Sequence, residues 1–288
     1  MIDTHAHLDF ENFDKDREEV ISRAFDNGVK SIINIGVDLE RSRKSVEIAQ
    51  KHDGIFAAVG FHPEFFSEQG SVTSEQQKLF RNLNDLARNK KVIAIGETGL
   101  DYFSHTGEIV SDEQKENQKK GFLAQIELAR ELGLPVIVHC RDAWGDLYEI
   151  VAQSAKRKAQ NHNSKLKTNN IKFVLHCYSG SKKDTEKFLK LPNVHFSFSG
   201  NITYPKPMDR AEKLAEAVRM IPLGRIMLDS DCPFLAPQEM RGKRNEPAYI
   251  KYIAEKIAEI KGLSTAQVER ATDENAGKFF KINTNRAN

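Results

Sequence analysis

The chain has 288 residues, 39% of them hydrophobic and 29% charged, with a formal net charge of +2. This is the make-up of an ordinary globular protein with a large core and one or two domains. It excludes a disordered or strongly basic chain, so any affinity for phosphates must come from a local patch.

Short apolar, β-branched runs recur, each followed by an amphipathic stretch. The spacing predicts a strand at 2–7, a helix at 13–27 stopped by Gly28, a strand at 31–36 and a helix at 39–52 closed by Gly54. A strand at 55–61 follows, then a helix opened by Ser74 and Gln77 at capping-box spacing, then a strand at 92–97. Ser111 and Gln114 open a long helix that Gly133 ends. Strands at 135–139, 171–176, 194–198 and 225–231 alternate with helices at 143–158, 182–191, 209–220 and 247–261. A last helix at 265–280 begins with a box from Ser264 to Gln267. Eight strand–helix units predict an α/β protein, a (β/α)₈ TIM barrel with an extra C-terminal helix, covering 1–288 as one domain. An open doubly wound sheet would alternate too. The polar residues separate the two, because they gather at several strand ends, which meet around one mouth only in a closed barrel.

His5 and His7 lie two apart in the first strand and so share one face. Glu97, His139, His176 and Asp231 end the fourth, fifth, sixth and eighth strands, each after an apolar run. A carboxylate in such a place is costly to bury unless it is paired or metal-bound. Four imidazoles and two carboxylates at one mouth suit two divalent cations, Mg²⁺, Mn²⁺ or Zn²⁺. Glu97, with two oxygens, is the expected bridge. His5, His7 and Asp231 complete one site, and His139 and His176 the other. Asp231 is also the expected general base. Arg141, Arg241, Lys243 and Arg244 lie on loops after the fifth and eighth strands, where they are expected to contact phosphate. Cys140, Cys177 and Cys232 each follow one of these ligands, so they are expected to face away and pack behind the site. The polar, basic stretch 156–170 reads as a solvated insertion at the far end of the barrel. No run is apolar enough to span a bilayer, and the first residues lack the pattern of a secretory signal; the expected location is the cytoplasm, without a membrane partner.

Taken in order, these pieces resemble the TatD family of metal-dependent deoxyribonucleases, within the amidohydrolase-like barrels, over nearly the whole chain. The matching motifs are Ile2-Asp-Thr-His-Ala-His-Leu-Asp9, Val59-Gly-Phe-His-Pro63, Ile95-Gly-Glu-Thr-Gly-Leu-Asp-Tyr102, His139-Cys-Arg-Asp-Ala143, His176-Cys-Tyr-Ser-Gly180 and Arg241-Gly-Lys-Arg-Asn-Glu-Pro247. The resemblance implies metal ligands at His5, His7, Glu97, His139, His176 and Asp231, the same six reached from the strand ends. It also places a substrate-facing histidine at His62. The chain departs from the family at Asp229-Ser-Asp231, where Glu-Thr-Asp is common. The implied activity is hydrolysis of DNA phosphodiesters by a metal-activated water. A narrow mouth, together with the resemblance, favours 3′-5′ exonuclease action on single-stranded ends. The same site on another loop frame would suit an ester hydrolase acting on D-aminoacyl-tRNA. A non-catalytic metal-stabilised scaffold is the remaining alternative, and it predicts sites fully closed by protein ligands.

Overall fold

The computed structural model describes residues 1–67, 74–103, 107, 109–156 and 171–283, with backbone alone at 74–77 and 156. The box at Ser74 and Gln77 and nearly all of the basic insertion lie outside the described residues. Eight parallel strands pair in chain order: β1 (Ile2–Ala6), β2 (Ser31–Ile35), β3 (Ile55–Val59), β4 (Val92–Asp101), β5 (Val136–Arg141), β6 (Phe173–Leu175), β7 (Val194–Phe198) and β8 (Ile226–Leu228). The two ends of the sheet meet through a parallel bridge between Ala6 and Cys232. The Thr4 hydroxyl adds a bond to the Leu228 carbonyl at 2.8 Å. The sheet is a TIM barrel, not an open sheet. Its helices are α1 (Arg17–Asp26), α2 (Leu39–Lys51), α3 (Pro63–Ser67), α4 (Ser74–Ala87), α5 (Asp112–Leu132), α6 (Trp144–Lys156), α7 (Lys182–Leu189), α8 (Met208–Met220), α9 (Ile250–Lys261) and α10 (Thr265–Phe280). The boxes at Ser111 and Ser264 form as expected, and Gly133 ends α5 at φ +66°, a conformation that suits glycine. Among the described residues no helix is long and apolar enough to cross a membrane.

Two apolar clusters divide the core. The larger lies between the strands and the surrounding helices, with Leu8, Phe122, Leu147, Phe188 and Ile253 among its members. The smaller lies inside the barrel: Ile2, Ile33, Ile35, Ala58, Ala94, Ile137, Val174 and Met227. Ala276, Phe279 and Phe280 of α10 and Ile282 beyond it join this inner cluster, so the extra helix plugs the barrel at the end where the strands begin.

The inner residues set the phase that every strand then carries to the mouth. On β5, Ile137 points inward, and so does His139 two residues on; on β6, Val174 leads to His176 just past the strand end. β1 and β4 do not keep step. Ile2 and Ala94 point inward, yet the site receives His5 and Glu97, each three residues later. The register of β1 shifts between Asp3 and Ala6, and that of β4 between Ile95 and Thr98. An inserted residue turns the following side chains to the opposite face. Both irregularities therefore exchange an apolar inner row for a polar one at the height of the site.

Two boundaries differ from expectation for local reasons. β4 runs four residues past Glu97 because it stays paired with β5 from Thr98–Val138 to Asp101–Arg141. This needs Gly99, since a Cβ there would meet the His139 carbonyl oxygen at 2.0 Å. β8 stops at Leu228, because the buried Asp229 carboxylate accepts bonds from the hydroxyls of Ser197 and Ser199 and from the Cys177 N–H. Asp231 therefore stands in the following turn, at φ +53°, with its N–H bonded to the His5 carbonyl at 2.9 Å.

Candidate metal centre

Glu97 occupies the middle of the mouth, and its two oxygens face opposite ways. Oε2 lies 3.4 Å from His5 Nε2 and 3.8 Å from His7 Nε2. Oε1 lies 2.8 Å from His139 Nδ1 and 2.7 Å from His176 Nε2. Asp231 adds an oxygen 3.6 Å from His7 Nε2 and 3.9 Å from His5 Nε2. The six side chains thus come together around Glu97, with His5 and His7 beside Oε2 and His139 and His176 beside Oε1.

The spacing fits divalent cations. His5 Nε2 and His7 Nε2 are 3.2 Å apart, and His139 Nδ1 and His176 Nε2 are 3.3 Å apart. Two nitrogens bound to one tetrahedral zinc at about 2.0–2.1 Å stand roughly 3.3 Å from each other. Three groups of ligand atoms, each within 4.8 Å, gather here: His5, His7 and Glu97; His5, His176 and Asp231; His62, Glu97 and His139. No cysteine belongs to any of them. Cys140 and Cys232 are buried, and Cys177 is half-buried.

The electrostatics favour added positive charge. Burial alone would raise the Glu97 carboxyl, but His176, His5 and His139 outweigh it and hold the group well below the carboxylate range. Burial opposes charge on His7, yet Asp231 and Glu97 push that imidazole up to about 9. Burial likewise opposes charge on His139, and Asp101 and Glu97 push it up to about 10. Buried carboxylates that draw protons onto imidazoles will also draw a cation in exchange for those protons.

His62 lies closer to the centre than its expected substrate-facing role implies. Its Nε2 is 3.8 Å from Glu97 Oε1 and its ring centre 4.5 Å from that of His139. Burial and the neighbouring His139 push it down to about 3, so it is neutral. Sequence reasoning missed Asp101, whose Oδ2 lies 2.9 Å from His139 Nε2 and so fixes the ring whose other nitrogen faces Glu97. The signal was present: Glu97 and Asp101 are four apart on β4, hence on one face.

The site opens into a cavity of about 590 Å³ walled by Phe10, Phe65 and Phe234. Phe234 is 50% exposed, whereas Phe61, Phe66 and Tyr178 are buried packing residues. Arg141 lines the cavity. The 241–244 run does not. Arg241 lies over the Tyr204 ring at 4.2 Å. Arg244 is drawn away from the mouth: it bonds both Asp16 oxygens at 2.8 and 2.6 Å, the Asn12 carbonyl and Glu246, over the Phe13 ring. Its loop position was read correctly, but its charge is already matched.

The sequence profile of the TatD related DNase family matches residues 2–281. The chain belongs to the TatD family. It is 38% identical to the uncharacterized metal-dependent hydrolase YabD of Bacillus subtilis, covering 98% of this chain and all of that one. It is 30% identical to the 3'-5' ssDNA/RNA exonuclease TatD of Klebsiella pneumoniae, covering 99% of each. The crystal structure of the TatD homologue YJJV from Escherichia coli superposes over 98% of both chains with a TM-score of 0.82 at 27% identity. TatD membership makes the protein a metal-dependent hydrolase with an amidohydrolase-like barrel. The Glu97-centred cluster is the candidate group to hold its metal.

Proposed function

We propose that the protein hydrolyses phosphodiester bonds in DNA, removing nucleotides from the 3′ end of single strands, with two divalent cations on the six residues around Glu97. The observation that carries this reading is the division of the Glu97 oxygens between two imidazole pairs at the floor of an open cavity. When bound, paired cations supply an acidified water and neutralise charge on the phosphate and the leaving oxygen. Glu97 holds its charge at neutral pH and fixes both imidazole pairs in place. Asp231 is held in the carboxylate form by His7, His5 and His176 against the burial that would raise it, so it can accept the proton of the attacking water. Asp101 orients His139. Arg141 stands on the wall where it can pair with a phosphate oxygen. Phe234, exposed beside Phe10, offers a face for a terminal base. The name of the Klebsiella relative, a 3'-5' ssDNA/RNA exonuclease, agrees with this reading.

The test uses chelated protein restored with Mg²⁺, Mn²⁺ or Zn²⁺. It is given single-stranded, duplex and closed circular DNA carrying 3′ or 5′ labels. Loss of label from 3′ ends of linear single strands is the expected result. Cutting of closed circles with no end preference overturns it, and turnover of a D-aminoacyl-tRNA without DNA cleavage replaces it with the ester-hydrolase reading.

A further inference from the structure

Beside the mouth lies a second, smaller cavity of about 160 Å³, walled by Phe103, Arg141, Asp142, Trp144, Ser179, Arg210, Lys213 and Leu214. One residue belongs to both walls: Arg141, the last residue of β5. It lies two positions after His139 and follows the same strand face. Its guanidinium lies over the Phe103 ring, 3.3 Å from the ring centre. Arg210 and Lys213 reach the cavity from the first turns of α8, and neither is ion-paired among the described residues. Three cations thus face the cavity, and among its described lining residues Asp142 is the one carboxylate. Arg210 and Lys213 differ in this from Arg244, which is ion-paired with Asp16 and Glu246.

We propose that this second cavity receives a backbone phosphate of the substrate strand, the phosphodiester on the 5′ side of the one being cleaved. Resting on the phosphodiesterase reading above, the inference adds a path. The strand leaves the site past Arg141 toward α8, and not over the loop that carries Arg241 and Lys243. Arg141 spans the two cavities and so pairs consecutive phosphates with the two sites. Arg210 and Lys213 hold the second phosphate, and the exposed ring of Phe103 and the half-buried Trp144 flank the adjoining sugar and base.

The probe is 5′-fluorescein-labelled hexathymidylate, bound to the full chain in EDTA and followed by anisotropy from 50 to 200 mM salt. The double variant Arg210→Ala, Lys213→Ala should weaken binding at least tenfold. The slope of log affinity against log salt should become shallower by about 0.7, since the two residues share one phosphate and each phosphate contact on a single strand is worth about 0.7. The control is the double variant Arg241→Ala, Lys243→Ala, which removes the same charge from the loop after β8, outside the walls of both cavities. Equal losses from both pairs, or an unchanged slope with the first, overturn the proposal; circular dichroism on each variant excludes misfolding as the cause. Cleavage is recorded separately. Binding that depends on Arg210 and Lys213 in a protein that cuts no DNA removes the proposed function and keeps the subsite. Cleavage with binding indifferent to both removes the subsite alone.

Discussion

The two ends of the barrel treat the same side chain in opposite ways. At the mouth, carboxylates overcome burial and push His7 and His139 up to about 9 and about 10. At the other end, His195 near the start of β7 packs edge-on to Phe279 of α10, its Nδ1 without a hydrogen-bond partner. Burial, then the nearby Arg225 and Lys172, push it down to about 4. One end is built to charge its histidines and the other to keep its histidine neutral. The lesson is a division of labour within each strand: its first residues make a dry plug that supplies stability, and its last residues spend that stability on a crowd of polar groups that an apolar core could not hold alone.

Removing the charge at the centre of the mouth should have the largest effect. Glu97→Gln leaves four imidazoles without their shared carboxylate. Metal content should fall and hydrolysis should drop on the order of 10³-fold or more. Metal analysis beside a rate measurement decides it; full metal content with an unchanged rate would break the comparison from the mouth's side. At the other end, Phe279→Ala removes a ring that is 2% exposed from the inner cluster. It should cost about 3–5 kcal/mol, seen as a lower denaturation midpoint, with metal stoichiometry unchanged at a temperature where the variant is folded. If metal is lost from the folded variant, the two ends are not separable.

How far this division could be read from the chain depends on the strand. β5 and β6 announce it openly: apolar residues alternate to the strand end, and the histidine arrives in phase with them. β1 and β4 do not. The two-residue spacing of His5 and His7 was legible, but not that Ile2 points to the same side as His5, because the register shift at Asp3 is a property of pairing with β2. β8 was overextended for a related reason, since Asp229 leaves the ladder to bond Ser197 and Ser199, partners set by β7. The charges of the loop after β8 were legible too, but not which were already matched. Arg244 is neutralised by Asp16, far away in the chain, whereas Arg210 and Lys213 look in the sequence like any exposed helix residues.

Within the mouth, a smaller change tests whether the imidazoles need support from behind. Asp101→Asn keeps the size of the side chain and removes the charge that fixes His139. A 10–100-fold loss in metal affinity or rate is expected, as for other carboxylates that orient a ligand histidine. Isothermal titration with Mn²⁺ measures it. An affinity within twofold of the parent would show that Glu97 alone fixes the ring.

The smallest expected effect lies at the plugged end and reads out as pH dependence. His195 binds a proton in the unfolded chain below its ordinary value near 6.5, but in the folded chain only below about 4. Between those values the unfolded state holds more protons, so stability falls as pH falls, and above pH 7 the group contributes no pH dependence. From pH 7 to pH 5 the loss should be about 2 kcal/mol, a few degrees in the thermal midpoint. The histidines and carboxylates of the mouth titrate as well, so the quantity to follow is the difference between the parent and His195→Leu at each pH. The leucine keeps an apolar contact with Phe279 and has no proton to gain. Its advantage over the parent should grow as the solution is acidified and level off near pH 4. A difference that stays flat from pH 7 to pH 4 would mean that His195 charges as easily in the fold as out of it, and the two ends would no longer differ in how they handle a proton.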